Sequence, residues 1–165
     1  MKKYIWISLF LFPILACWAC SGDDEKETSK TDPDVEEITD MAKVTNVTVN
    51  GEPGSYTFAV EVSSPDTGCD QYADWWEVVT PDGELIYRRI LAHSHVGEQP
   101  FTRSGGKVPI QPEDPVLVRV HMNNSGYSKK IYSGNVADGF IAAEAVLDAD
   151  EVLEKTEPLP NGCGG

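Results

Sequence analysis

Residues 73–90 read ADWWEVVTPDGELIYRRI, and this stretch decides the fold because it holds two strands and the turn between them. In ADWWEVV the side chains alternate with period two, so Trp76 and Val78 share one face while Trp75 and Glu77 share the other. The letters TPDGE contain Pro, Asp and Gly in turn-forming order, and ELIYRRILAH returns as a second strand. The stretch therefore predicts a β-hairpin.

The same period recurs along residues 43–140. The stretches SYTFAVEVS and VLVRVHM each have one apolar face, and in the second this face is opposed by Leu117, Arg119 and His121. KVTNVTVN and KKIYSGNV are further candidate strands. The short KVPIQ is at best an edge strand because it contains Pro109. EQPFTRSGG is predicted to be a loop whose Phe101 enters the core. About seven short strands predict an all-β protein, a single antiparallel two-sheet sandwich.

The order of these strands resembles an immunoglobulin-like or fibronectin-type-III-like module over roughly residues 43–136. Trp76 stands where such domains bury a tryptophan in their third strand, and VRVHMNNSGYS is similar to their sixth strand and the corner after it. The resemblance implies a sandwich domain at 43–140, but it implies little about activity because such modules serve many functions. The segment GFIAAEAVLDADEVLEK, residues 139–155, leads into the predicted tail at 141–165 and suits a short helix or an extended tail equally.

The first 19 residues have the features of an export signal. Lys2 and Lys3 precede an apolar run that is too short to span a bilayer comfortably. Cys17 and Cys20 each follow an alanine, which resembles the bacterial lipoprotein signal, and the acidic SGDDE after Cys20 is similar to the surface-export tag of some Gram-negative lipoproteins. The resemblance implies a lipid on Cys20, with Cys17 as the alternative, and a place on the periplasmic or cell-surface side of the outer membrane. A plain secretory signal without lipid is the competing interpretation.

The chain carries a net charge of −14. This charge disfavours nucleic-acid partners because it repels phosphate backbones. Residues 20–42 are acidic and have few large apolar side chains, so they predict a disordered tether. If Cys20 is lipidated and Cys17 is removed with the signal, Cys69 and Cys163 remain and predict a disulfide in an oxidising compartment.

One face of the predicted hairpin and its neighbouring strand suggests a contact surface. An exposed tryptophan beside arginine and carboxylate groups suits docking to a protein or a glycan. The residues of this predicted patch are Trp75, Glu77, Tyr87, Arg89, Arg119 and His121. The competing interpretation is that Arg89 and Arg119 only pair with Glu77 across strands while the tail covers Trp75.

The three histidines suggest a second hypothesis. His93 and His95 are two residues apart and would point the same way on a regular strand, and His121 would complete a three-imidazole site for copper or zinc. The competing interpretation is that the strand ends near His93 and that the imidazoles face water or backbone groups. Arg103 with the following Gly105 and Gly106 suits either an anion-binding bend or a simple turn.

Hydrolytic chemistry is disfavoured, since Ser94 on a strand would point away from both neighbouring histidines. The sequence thus predicts a non-enzymatic, lipid-anchored, extracytoplasmic binding module with no catalytic residues and no cofactor. The alternative is a transition-metal protein that uses His93, His95 and His121.

Overall fold

The computed structural model describes residues 41–164. The predicted signal peptide at 1–19, the lipidation candidates Cys17 and Cys20, and the predicted tether up to residue 40 lie outside the described residues. Among the helices of the described part, none has the length and apolar character needed to cross a bilayer.

Almost all regular structure in residues 41–164 is β-strand, with a single short helix near the end. The elements are β1 Lys43–Glu52, β2 Ser55–Ser63, β3 Ala73–Val79, β4 Leu85–Ile90, β5 Phe101–Val108, β6 Val116–Met122, β7 Gly126–Tyr127, β8 Lys130–Asn135, β9 Gly139–Glu144 and α1 Asp150–Leu153.

The strands form two antiparallel sheets. The small sheet has the order β1-β2-β5, and the large sheet has the order β4-β3-β6-β8-β9 with β7 paired to β6. The predicted all-β, two-sheet architecture is confirmed. The resemblance to an immunoglobulin-like or fibronectin-type-III-like module stays a prediction.

The main core lies between the sheets and follows the predicted alternation. In β2 the buried residues recur at every second position, and in β3 and β6 the side chains of Trp76, Val78, Val118 and Val120 belong to this core. Phe101 is also buried there, but it begins β5, so the prediction of a loop at EQPFTRSGG is wrong. The loop ends before Phe101, earlier than predicted, because Phe101–Arg103 pair with β2 and extend the small sheet.

The pairing of β3 with β4 contains a bulge. Val78 lies opposite Tyr87 whereas Val79 lies opposite Leu85, so one extra residue of β4 is accommodated between them. As a result Tyr87 packs on the main core, while Leu85 packs on a second apolar cluster on the outer face of the large sheet. Tyr87 also lies against Gly105 of β5, where an added Cβ would come within 2.6 Å of the phenol oxygen.

The end of the chain, residues 145–163, crosses the outer face of the large sheet and is called the C-terminal segment. Leu153 is buried there with Val79, Leu117 and Ile131, a burial that contributes about 1.5–3 kcal/mol. Past α1 the segment ends at a disulfide between Cys163 and Cys69, with an S–S distance of 2.02 Å. These are the two cysteines for which the sequence predicted a disulfide.

Candidate functional site

The face of the large sheet that was predicted to meet a ligand is closed. Trp75, Glu77, Arg119 and His121 lie on the predicted side of their strands, opposite the main core, but each is at most 7% exposed. The C-terminal segment crosses this face, where Asp150 pairs with Arg119 and Glu154 lies 3.7 Å from the His121 ring nitrogen. The prediction of a solvent-facing contact patch is therefore wrong, and the covered-sheet interpretation describes this face better.

A buried carboxylate organises this covered face. Glu77 is fully buried, and its Oε2 accepts a hydrogen bond of 2.8 Å from Arg88 Nε while its Oε1 accepts one of 2.9 Å from Arg119 Nε. The three residues lie side by side on β4, β3 and β6 and are in register. Each carboxylate oxygen thus has its own guanidinium, an arrangement of charge-assisted hydrogen bonds.

One glutamate cannot neutralise two arginines, and the C-terminal segment supplies what is missing. Arg119 Nη1 lies 2.5 Å from Asp150 Oδ1. Arg88 donates to the carbonyl oxygens of Leu153 and Thr156 at 2.8 and 2.6 Å. The cluster of Glu77, Arg88, Arg119 and Asp150 is therefore balanced in charge only when the C-terminal segment is in place.

Tyr127 and Trp75 complete the surroundings of this cluster. The Arg119 guanidinium lies 3.7 Å from the centre of the Tyr127 ring, and that of Arg88 lies 4.4 Å from the centre of the Trp75 ring. Burial, together with the negative charge of Glu77, raises the pKa of the Tyr127 phenol far above its ordinary value. The hydroxyl accepts a hydrogen bond of 3.1 Å from Arg88.

His121 also belongs to the covered face and does not join the other histidines. Its Nδ1 lies 2.7 Å from Asp74 Oδ1, and its ring is stacked on Trp75 at a centroid distance of 3.7 Å. No group of three or more His, Cys, Asp or Glu side chains in residues 41–164 is arranged to hold a metal ion. The prediction that His93, His95 and His121 converge is therefore wrong, because His121 is held under the C-terminal segment by partners of its own.

Tyr87 and Arg89 were assigned to the outer face, and this is also wrong. Arg89 lies opposite Trp76, so it points toward the side of the large sheet that faces the small sheet. The residue that reaches Glu77 is Arg88, which the sequence pattern did not single out. Choosing between two consecutive arginines requires the register of the hairpin, and the bulge that sets this register has no mark in the sequence.

An open cleft lies where the edges of the two sheets meet, between β4 and β5. It has a volume of about 90 Å³ and is lined by residues 89–93, His95 and Arg103. Arg89 bridges the sheets, since its Nε donates to the carbonyl oxygen of Ser104 at 3.1 Å and its Nη1 donates to that of Ile90 at 2.9 Å. A cleft lined by two arginines and two histidines is a local concentration of nitrogen donors on an acidic protein.

Asp66 fixes the loop that carries the two histidines. Its Oδ2 accepts the backbone N–H of His95 at 2.7 Å, and its Oδ1 accepts the backbone N–H of Ala73 at 2.9 Å. The same Oδ1 accepts the Ser64 hydroxyl at 2.5 Å. Asp66 is buried, so these bonds tie the loop firmly to the start of β3.

The side chain of His95 is 1% exposed and is stacked on Phe101 at a centroid distance of 3.9 Å. Neither ring nitrogen has a hydrogen-bond partner among the described residues, and Nδ1 stays 3.9 Å from Asp66 Oδ2. Burial lowers the pKa of His95, and the positive charges of Arg103 and His93 lower it further, against the opposing charges of Asp66 and Glu98. The ring of His93 lies 4.5 Å away on the exposed side.

The buried glutamate should be far more important for stability than an exposed one. We expect Glu77→Gln to lower the free energy of unfolding by about 3–5 kcal/mol, because it leaves two buried guanidinium groups without their shared carboxylate. Glu98→Gln is the matched control, since Glu98 pairs with Arg103 at 2.7 Å but its side chain is 60% exposed, and exposed pairs contribute little. Urea unfolding of both variants measures the difference, and equal losses would contradict the assigned role of Glu77.

His95 should make stability depend on pH. Its pKa in the folded protein is below the ordinary value of 6.5, so the unfolded chain binds the proton more readily and stability falls as the pH drops below that value. We expect the parent to lose more unfolding free energy between about pH 7.5 and about pH 5.5 than His95→Leu does. Urea titrations at the two pH values test this, and identical losses would show that His95 is not the group responsible.

No protein-family model matches the chain, and no solved structure matches it significantly. A protein of Halomicrobium mukohataei (strain ATCC 700874 / DSM 12286 / JCM 9738 / NCIMB 13541) named "Putative lipoprotein" is 36% identical over 132 residues, which is 79% of this chain. The matched part is 61% of that protein, so the chain spans less than two thirds of the relative's length.

Proposed function

We propose that the protein is a lipid-anchored, extracytoplasmic binding module with no catalytic role. The observation that carries the proposal is the combination of a lipoprotein-like N-terminus and a relative named as a lipoprotein. The lipid is attached to Cys20, with Cys17 as the alternative, and the domain lies on the periplasmic or cell-surface side of an outer membrane.

The disulfide supports the extracytoplasmic location. Cys69 and Cys163 are bonded to each other, and such bonds form and persist in oxidising compartments. The bond also fixes the end of the C-terminal segment, which suits a domain that works outside the reach of cellular chaperones.

The character of the cleft supports binding rather than catalysis. It brings together the nitrogen-bearing side chains of Arg89, Arg103 and two histidines, and the two arginines carry positive charge. The hydroxyl of Ser94, which lies between the two histidines in the sequence, has no hydrogen-bond partner among the described residues, so it lacks the adjacent base that a nucleophilic serine needs. We therefore assign the ligand contact to this cleft instead of the covered sheet face. The proposed partner is still a protein or a glycan.

Lipid attachment is tested by metabolic labelling. The full chain, expressed in a bacterium that matures lipoproteins, should incorporate an alkyne-tagged fatty acid and sediment with membranes. Cys20→Ala should abolish labelling, whereas the matched variant Cys17→Ala should keep it, because only the lipidated cysteine supplies the acceptor thiol. Absence of label in the parent chain would contradict the proposal, and loss of label only in Cys17→Ala would move the lipid to Cys17.

A further inference from the structure

We propose that the cleft between β4 and β5 binds a carboxylate group of a small ligand and that Arg89 is its principal contact. The inference rests on the proposed role as a binding module, but it does not depend on the lipid. It names the ligand chemistry of that module, a carboxylate carried on either a sugar acid or the end of a peptide.

Arg89 is prepared for such a contact. A guanidinium group has five N–H donors, and the backbone carbonyl oxygens of Ser104 and Ile90 hold Nε and Nη1 in place. Nη2 and the second N–H of Nη1 have no partner among residues 41–164, and together they form a flat pair that matches the two oxygens of a carboxylate. Because the side chain is already anchored to both sheets, little conformational freedom is lost on binding.

His95 provides the second, independent indication of a ligand. Its buried imidazole lines the cleft, and both of its nitrogens lack a hydrogen-bond partner among the described residues. Buried polar atoms without partners are costly. A ligand in the cleft would satisfy one nitrogen, as an acceptor if that nitrogen carries the proton or as a hydroxyl donor if it does not.

The charge around the cleft favours a single negative charge on the ligand. Arg103 is already paired with Glu98 at 2.7 Å, and the lowered pKa of His95 keeps that imidazole uncharged near neutral pH. Arg89 has no carboxylate partner among the described residues, so it leaves one uncompensated positive charge. A carboxylate balances this charge, whereas a phosphate dianion would leave excess negative charge beside Glu98.

The size of the cleft sets a further limit. Its volume of about 90 Å³ is well below the range for sites that enclose a whole drug-sized molecule, about 300–1,000 Å³. The cleft therefore holds the carboxylate and the atoms next to it, while the rest of the ligand lies outside, where the cleft opens to solvent. A terminal or ring-borne carboxylate suits this shape because it projects from the body of the ligand.

The test is an NMR titration of the full chain, purified in detergent, that follows the Arg89 Nε–H and the His95 ring signals. The probes are glucuronate and N-acetylglycine, each paired with a neutral analogue, glucose and N-acetylglycinamide. We expect at least one acid to shift both signals to saturation while its neutral analogue does not, and the acid that binds identifies the source of the carboxylate.

Variants assign the effect to Arg89. Arg89→Gln should weaken binding about tenfold or more, the loss of one charge-assisted pair, while the exposed-lysine control Lys43→Gln removes the same charge from β1 and should leave binding unchanged. Arg89→Lys keeps the charge but not the flat pair of donors, so it should also bind more weakly.

Several results would overturn the proposal. They are the absence of saturable shifts with both acids, equal binding of a neutral analogue, equal binding by Arg89→Gln, or binding of inorganic phosphate as tight as that of the better acid. If Arg89→Gln does not fold, Arg89→Lys decides, and full affinity in that variant would contradict the paired contact. Failure of lipid labelling leaves this titration unaffected, so the two proposals fail separately.

Discussion

The shared carboxylate of Glu77 is the interaction on which the rest of this structure depends. Two guanidinium groups on neighbouring strands meet it, and an unpaired charge in such a buried position would be strongly destabilising. The fourth charge is Asp150 in the C-terminal segment, so the sheet and the segment that covers it neutralise each other. The outer face of the large sheet is therefore part of the interior, and the segment is a structural layer rather than an appendage.

For a protein that binds a ligand as proposed, this constraint leaves the edge of the sandwich as the place of contact. Trp75 and Arg119 have the chemistry of a docking surface, but their contacts are taken up by Arg88, Tyr127 and the C-terminal segment. The cleft between β4 and β5 instead stays open, and both of its walls are rigid because Arg89 is bonded to β5 and the histidine loop is bonded to Asp66. A ligand that binds there as proposed would need no movement of the domain.

Much of the fold could be predicted from the sequence because alternation is a local property of a strand. It placed Trp76 in the core and Trp75 on the opposite face, as the structure has them. What alternation cannot indicate is whether another part of the chain covers a face, so a tail that covers Trp75 could be named only as the competing interpretation. The site depended on details still less local. The bulge in β4 decided that Arg88 and not Arg89 meets Glu77. The loop held by Asp66 places His95 in the cleft between β4 and β5. His121 instead pairs with Asp74 under the C-terminal segment.

Hydrogen exchange at the indole N–H of Trp75, followed by NMR in the intact protein, tests the covered face most directly. The indole nitrogen is buried, and Arg88, which packs against the Trp75 ring, is hydrogen-bonded to Leu153 and Thr156 of the C-terminal segment. The indole proton should therefore exchange only through opening of that segment or of the whole domain, far more slowly than in a free indole. Exchange at the rate of a free indole would show that the outer face of the large sheet is open to solvent, and would contradict the role of the C-terminal segment as its cover.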